Sequence, residues 1–213
     1  MKYNEVRAEA LRLMFSDSDV NVDIEQEDAL GSRVGLSLLE DDENIGPFLR
    51  NMRGSVNRCF AIIEAKGVLP DRTVLVLPSV QGQISSFELP QDCYTPIRLA
   101  RYGEDFVEGS VAFERQGDRV IIPDYDVDST YLLVYKPKIR RLPFGVGDFE
   151  ELDLPDNVAS FIPFYVKGEL FRDEEPGEAG ESRNWFEAAM AELMTRQEGE
   201  QRSVDTVFGG MMS

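Results

Sequence analysis

The chain has 213 residues, of which 42% are hydrophobic, and its 22 basic against 40 acidic residues leave a formal net charge of −18. That apolar content is sufficient for a folded core, while no apolar run reaches the roughly 18 residues needed to span a bilayer. The acidic balance argues against DNA or RNA as the main partner, because phosphate binding depends on Lys and Arg. The lack of histidine excludes His-dependent triads and the usual zinc ligand sets.

The first residues are amphipathic and lack the uninterrupted apolar core of a signal peptide, so we expect synthesis in the cytosol. Apolar residues recur on one helical face from Tyr3 to Leu13, which predicts a first helix. Segment 16–44 then carries ten carboxylates against the single cation Arg33. Such a run predicts a solvated loop, with helical fragments at most.

The two cysteines, Cys59 and Cys93, lie far apart in the sequence. A structural disulfide between them is not expected in a reducing compartment. We therefore predict two buried thiols.

A second helix is predicted where apolar residues recur at spacings of three and four from Ile45 to Ile63. Pro47 suits the first turn of this helix, and Gly67 suits a C-terminal cap. Pro70 prevents any continuation.

After Pro70 the apolar period changes from 3.6 to 2, and residues that favour strands cluster between turn residues. Gln116 and Gly117 predict a tight turn between two of the strands. Since no helix lies between the strands to make parallel crossovers, we expect a small antiparallel sheet, sandwich or barrel. The six predicted strands are TVLVLP, QISSFELP, PIRLARY, VAFER, DRVIIP and TYLLVYK.

The helical period returns near the C-terminal end, with a third helix from Val158 to Leu170 and a fourth from Ala179 to Leu193. The acidic stretch RDEEPGE between them predicts the turn of a helical hairpin. Pro163 either kinks the third helix or marks a late start, and both alternatives remain open.

Helices on both sides of the strands predict an α+β fold, in which both chain ends form a helical bundle with an inserted antiparallel β domain. The inserted domain is a sandwich or a small barrel. The predicted boundaries are 1–70 and 143–197 for the helical domain, 71–142 for the β domain, and 198–213 for an extended C-terminal arm.

Carboxylates are the most frequent candidates for a metal site. Glu169, with the acidic residues at 173–175, lacks the histidine that helical-bundle metal sites usually supply. Asp124, Asp126 and Asp128 repeat the first ligands of a calcium loop, but its Gly at position six and Glu at position twelve are replaced. We read these residues as a polar turn and expect no metal or cofactor.

The sequence GVG at 145–147 lacks the Lys-Ser/Thr pair of a phosphate-binding loop, so a flexible joint between domains is expected there. One concentrated basic patch follows the last strand. We favour docking of this patch onto an acidic protein surface, including a neighbouring copy, over contact with nucleic acid. Its residues are Lys136, Lys138, Arg140 and Arg141.

The C-terminal arm carries Val204, Val207 and Phe208, which are too sparse to form a core. We expect these residues to bind in a groove or at a sheet edge of a partner. The alternative is a disordered tail without a role.

Three stretches resemble the head-to-tail connector (adaptor) proteins of tailed bacteriophages, a group that includes tail tubular protein A of short-tailed phages. The similar features are a Leu-Pro-x-Asp start of a sheet, a Tyr-rich closing strand ending in Tyr-x-Pro, and two helices around an acidic turn. The stretches are FELPQDCYTPIRLARYGEDFVEG, YLLVYKPKIRRL and LPDNVASFIPFYVKGELFRDEEPGEAGESRNWFEAAMAEL. The long acidic segment and the C-terminal arm depart from the family pattern.

The resemblance implies a structural protein of the virion neck, assembled in the host cytoplasm as a ring, commonly of twelve copies. Its partners would be other copies of itself, the portal protein and a tail or nozzle protein. DNA would pass through the ring without specific binding, and a negative lumen suits such passage.

Other functions remain open at this point. The chain could be another phage tail or neck structural protein, an enzyme that uses carboxylates or Tyr, or a cytosolic regulatory binding module. Only the adaptor hypothesis requires cyclic rings or incorporation into virions.

Overall fold

The computed structural model describes residues 1–15, 43–81, 84–103, 107–123, 129–145 and 150–209. These residues form α-helices and antiparallel β-sheets, which confirms the predicted α+β class. The chain divides into two compact units. The helical unit comprises Met1–Val68 and Ile139–Ser213, and the β unit comprises Leu69–Lys138.

The helices of the helical unit come from both sides of the β unit in the sequence. Those on the N-terminal side are α1 (Tyr3–Phe15) and α2 (Gly46–Lys66). Those on the C-terminal side are α3 (Asp156–Ala159), α4 (Ile162–Leu170) and α5 (Pro176–Gly209). The predicted acidic loop at 16–44 lies almost entirely outside the described residues.

Both predicted ends of α2 are confirmed. Pro47 lies in the first turn, where its missing N–H would have no helical partner in any case. Gly67 closes the helix in the left-handed region with φ 66°, and its N–H donates to the Glu64 carbonyl at 3.0 Å.

Pro163 marks the start of a new helix. The predicted third helix is divided, because α3 ends at Ala159 and α4 begins only at Ile162. Pro163 therefore lies in the first turn of α4, where its fixed φ suits the helix and no hydrogen bond is lost.

The last helix corrects the prediction of an extended C-terminal arm. The backbone of α5 stays helical to Gly209, twelve residues beyond residue 197, where the helical domain was predicted to end. An apolar period ends near Leu193, but a helix needs no such period to continue. Each added residue contributes one backbone hydrogen bond, and Glu, Gln and Arg favour the helix.

Aromatic contacts join helices from both chain ends. The ring centroid of Phe15 lies 5.5 Å from that of Phe48 and 5.9 Å from that of Phe171. The centroids of Phe48 and Phe171 are 6.1 Å apart. Tyr165 of α4 lies 5.2 Å from Phe186 of α5 by the same measure. Aromatic pairs at these separations add to the energy of apolar burial, so they hold α1, α2, α4 and α5 around shared interior surfaces.

The β unit consists of two four-stranded antiparallel sheets in the described residues. The first sheet has the order β1 (Arg72–Val76), β8 (Thr130–Pro137), β4 (Cys93–Tyr102), β5 (Val107–Val111). The second has the order β2 (Ser79–Gln81), β3 (Ile84–Glu88), β7 (Arg119–Ile122), β6 (Glu114–Gln116).

The chain passes from one sheet to the other at both lateral edges. It crosses between β1 and β2 at residues 77–78, and between β5 and β6 at residues 112–113. The second crossing divides VAFER, which was predicted as one strand, and β2 was not predicted at all. The predicted tight turn is confirmed, because Gln116 pairs with Arg119 and Gly117 has φ 62°.

Side chains from both sheets share one buried core, so the described strands form a sandwich rather than a closed barrel. Strand β8 shows the underlying pattern, with alternate residues buried along its length. The buried residues of this sandwich core are Phe87, Cys93, Leu99, Val120, Ile122, Tyr131, Leu133 and Tyr135.

Candidate partner-binding surfaces

Most of the predicted basic patch is paired with carboxylates of its own unit. In the β unit, the Lys136 ammonium lies 2.8 Å from the Asp71 carboxylate and donates to the Leu69 carbonyl at 3.0 Å. In the helical unit, Arg140 pairs with Glu150 and Arg141 pairs with Glu64. Lys138 is exposed, and no carboxylate among the described residues forms an ion pair with it.

The residues that follow the last strand are held along α2 by an arrangement that we call the α2 clasp. The Asn57 side chain donates to the Leu142 carbonyl at 3.0 Å and accepts from the Leu142 N–H at 2.8 Å. Glu64 accepts the Ile139 N–H at 2.5 Å and also binds Arg141. Both backbone groups of Leu142 are thereby satisfied by one amide side chain.

The dimensions of a helix and an extended chain explain why the α2 clasp fits. Asn57 and Glu64 are two turns apart on one face of α2, and beyond Asn57 the Arg53 guanidinium lies 4.7 Å from the Phe144 ring centroid. From Arg53 to Glu64 the helix rises about 16 Å. Six residues in extended conformation, the number from Ile139 to Phe144, span about the same length.

The α2 clasp also moves the boundary between the units. The predicted β domain extended to residue 142, whereas the β unit ends at Lys138. Residues 139–142 belong to the helical unit because their backbone groups are bound by α2 side chains. One feature of the sequence pointed to this contact: Glu64 is a carboxylate within the apolar face of α2. In the structure it is only 7% exposed, and carboxylates are rarely so buried unless they are paired.

A second polar cluster, centred on Asp92, stabilises the β unit. The Asp92 carboxylate accepts the Tyr135 hydroxyl at 3.0 Å and lies 2.7 Å from the Arg72 guanidinium. Its backbone carbonyl accepts the Lys138 N–H at 2.6 Å. Burial, followed by the hydrogen bond and charge of Asp92, raises the pKa of Tyr135 to about 12.

Lys167 connects three helices of the helical unit through two short hydrogen bonds. Its ammonium, in a side chain that is almost fully buried, donates to the Leu13 carbonyl and to the Glu178 carboxylate, both at 2.6 Å. Leu13 lies in the last turn of α1, where carbonyls lack helical partners. Glu178 lies in the first turn of α5. The cation lies at the C-terminal end of α1 and the carboxylate at the N-terminal end of α5, and each charge interacts favourably with the dipole of that helix.

Glu169, the carboxylate considered above for metal binding, is engaged in internal contacts. It pairs with Arg58 of α2. Burial, followed by the charge and hydrogen bond of Glu169, raises the pKa of Tyr165 to about 12. Burial also raises the pKa of the neighbouring Cys59 thiol. The Tyr165 hydroxyl and the Cys59 thiol therefore hold their protons at neutral pH.

Both cysteines are free and buried, which confirms the prediction made from their spacing. Burial raises the pKa of Cys93 as well. A buried thiol with a raised pKa is a poor nucleophile, because the reactive species is the thiolate. Both side chains pack in the interior of the unit to which they belong.

The other predicted sites lie partly or wholly outside the described side chains. Asp124, Asp126 and Asp128 lie outside the described residues, as does most of the GVG segment. The three apolar residues of the C-terminal arm lie on the helical backbone of α5, and the structure describes no side chain there: Val204, Val207 and Phe208.

No group of three or more His, Cys, Asp or Glu side chains within the described ranges is arranged to hold a metal ion. A search of the same part of the chain for a helix of sufficient length and hydrophobicity to cross a membrane finds none.

Several large apolar side chains among the described residues are exposed and offer surface for contacts with other molecules. Leu75 and Leu77 follow one another along an edge of the β unit, with 52% and 74% of their surface accessible. Phe144 and Trp185 are exposed on the helical unit. Exposed aromatic residues of this size are frequent anchors of protein interfaces.

No protein-family model matches the chain, and no curated protein is significantly similar to it in sequence. The assignment of a function therefore depends on the motifs in the sequence and on the geometry described above.

Proposed function

We propose that this protein is a structural adaptor of a tailed-bacteriophage virion, which forms a ring between portal and tail. The observation that carries the proposal is the order of its parts, in which a two-sheet β unit is inserted between helices that belong to one compact unit. In this proposal those helices form the bundle expected for the connector family.

The positions of the family-like stretches support the proposal. The first stretch covers β4 and its surroundings, and the second covers most of β8 and the residues that the α2 clasp holds. The third covers α3, α4 and much of α5. The hydrogen bond between Asp92 and Tyr135 joins the Leu-Pro-x-Asp motif to the Tyr-x-Pro motif. Two motifs that are distant in sequence thus form one structural element.

The charge also supports passage of DNA through such a ring. With a net charge of −18 per copy, a ring would repel the phosphate backbone and let DNA slide without adhering. The portal protein and a tail or nozzle protein are the proposed partners, in the virion neck. We propose assembly of the ring in the host cytoplasm.

The helical form of α5 changes how the C-terminal residues would bind. Val204, Val207 and Phe208 have the i, i+3, i+4 spacing of one helical face, so we propose that this segment binds as a helix in a groove of the portal or of a neighbouring copy. Contacts with the portal or with a neighbouring copy could also use Lys138. The other three residues of the basic patch already form the ion pairs described above.

The proposal is tested on virions produced from the genome that encodes this chain. We expect mass spectrometry to detect the protein in purified particles, and antibody labelling in electron microscopy to locate it at the neck. Absence from particles that carry tails would refute the proposal. Labelling elsewhere on the virion would support another structural role instead.

A further inference from the structure

Strand β1 is an edge of the first sheet, because that sheet has the order β1-β8-β4-β5. On the side of β1 away from β8, no strand in the described part of the chain pairs with it. An edge strand presents unpaired backbone N–H and C=O groups, which another strand of suitable shape can bind.

The β1 edge lacks the features that usually protect such edges. Apart from Arg72 at its start, β1 contains no charge, proline or bulge, and Leu75 in the strand and Leu77 just after it are largely exposed. The opposite edge is protected. Strand β5, which forms that edge, carries a register shift and a glycine with φ 146° at Gly109. In the second sheet, the three residues of the edge strand β6 are exposed and polar.

We propose that β1 binds β1 of a second copy of this chain, in antiparallel orientation around a two-fold axis. In the register that pairs Leu75 with Leu75 of the second copy, Val74 faces Val76, and Thr73 faces Leu77. Val74 and Val76 pack against the sandwich core, so this register places both cores on the same face of the joined sheet. Apolar cross-strand pairs of this kind stabilise antiparallel strands.

Charge favours this site over contacts through the helical unit. Residues 69–138 contain seven Lys and Arg against eleven Asp and Glu, a net charge of −4, so the remainder of the chain carries −14. Arg72 falls opposite Pro78 in the proposed register, and no like charges face each other within the paired strands. A contact through β1 therefore joins the less negative unit of each copy.

The proposal does not depend on the virion function. A two-fold contact uses the same surface on both copies and closes after two, whereas a ring needs two different surfaces. The β1 pair is thus a state of the free protein, which covers an edge that would otherwise favour aggregation. Since the contact is short, we expect a weak, reversible dimer.

Site-directed crosslinking tests the register in the full chain. Both native cysteines are buried, so a Leu75→Cys variant carries one accessible thiol. Directly opposed residues have Cβ atoms about 5 Å apart, so mild oxidation should give a disulfide-linked dimer. The Leu77→Cys variant is the control. Its two thiols would be roughly 13 Å apart, although residue 77 is the more exposed. Equal crosslinking of both variants would overturn the proposal.

Sedimentation velocity tests the contact without a crosslink. We expect the unmodified chain to show a monomer–dimer equilibrium, and Leu75→Lys to dimerise at least about tenfold more weakly, because like charges would face each other. Ile97→Lys is the matched control, since Ile97 is similarly exposed but lies on the inner strand β4. A monomer at every concentration, or dimerisation of Leu75→Lys equal to that of the control, would refute the proposal.

Discussion

The Tyr135 hydroxyl donates a hydrogen bond to the Asp92 carboxylate at 3.0 Å, across 43 positions of sequence. Tyr135 is nearly fully buried, and Asp92 is also bound by Arg72. The bond therefore joins the closing strand β8 to the turn that precedes β4. It is a polar contact at the margin of an apolar core.

The first prediction concerns this bond. Tyr135→Phe removes a hydrogen bond to a charged acceptor and leaves the ring in place, so we expect the free energy of unfolding to fall by about 1–3 kcal/mol. Denaturant unfolding followed by circular dichroism measures the change. The matched control is Tyr102→Phe, at a half-exposed ring on β4, for which we expect little change. Equal effects at both positions would contradict the role assigned to Asp92.

The second prediction is a loss of stability at alkaline pH. The pKa values of Tyr135 and Tyr165 are raised to about 12 in the folded chain, whereas an unfolded tyrosine titrates near 10. Between these values the unfolded state has released protons that the folded state retains. The unfolding free energy should therefore fall as pH rises, by up to about 1.4 kcal/mol per pH unit for each tyrosine.

Phenylalanine at both positions provides the comparison for this pH dependence. The Tyr135→Phe, Tyr165→Phe double variant lacks both titrating groups, so its stability should decline less steeply between pH values of about 10 and 12. Unfolding curves recorded through that range give the two slopes. If the unmodified chain and the double variant lose stability with pH at the same rate, the pKa values of these tyrosines are not raised in the folded chain.

The third prediction concerns the α2 clasp. Asn57→Ala removes both hydrogen bonds to Leu142, and we expect a loss of about 1–3 kcal/mol together with faster amide exchange at Leu142. Asn51→Ala is the control, because Asn51 lies on the same helix but binds only the local Pro47 carbonyl from an exposed position. Unchanged protection of the Leu142 amide in Asn57→Ala would show that the clasp does not hold this segment.

The fourth prediction compares two lysines. Lys167→Met removes a buried ammonium from the Leu13 carbonyl and Glu178, so we expect a loss of about 1–3 kcal/mol in denaturant unfolding. Lys66→Met is the control, since Lys66 pairs with Glu187 at a more exposed site, and such pairs contribute at most about 1 kcal/mol. A larger effect at Lys66 would invalidate the assignment of Lys167 as the connection between α1 and α5.

The fifth prediction concerns the close approach of α4 to α5 at Gly168. A Cβ at this position would lie 3.0 Å from the Ala179 carbonyl oxygen and 3.2 Å from the Arg183 Cβ. We expect Gly168→Ala to destabilise the chain by about 1–3 kcal/mol, although alanine favours helices. Gly180→Ala, where a Cβ meets nothing within 4 Å, should instead stabilise by up to about 1 kcal/mol. Thermal unfolding measures the stability of both variants. A Gly168→Ala variant that is more stable than the unmodified chain would contradict the close approach of α4 to α5 at this position.

Local signals predicted much of the fold. The change from a period of 3.6 to a period of 2 after Pro70 separated helices from strands, because each period is a property of neighbouring residues. Pro47 and Gly67 predicted both ends of α2 for the same reason. The arm at 198–213 was predicted as extended, whereas the backbone is helical to Gly209, because a helix can continue after its apolar stripe ends.

The sequence by itself determined the α+β class, the ends of α2, the turn at Gln116–Gly117 and an acidic chain without histidine. Only the tertiary structure decided which carboxylates bind Lys136, Arg140 and Arg141. It also decided which strands lie at the edges of the sheets and where α4 and α5 approach each other. The reason is distance along the chain. Glu64 and Ile139 are 75 positions apart, and Leu13 and Lys167 are 154 positions apart. No local period or cap records such pairs, which form only when the whole chain has folded.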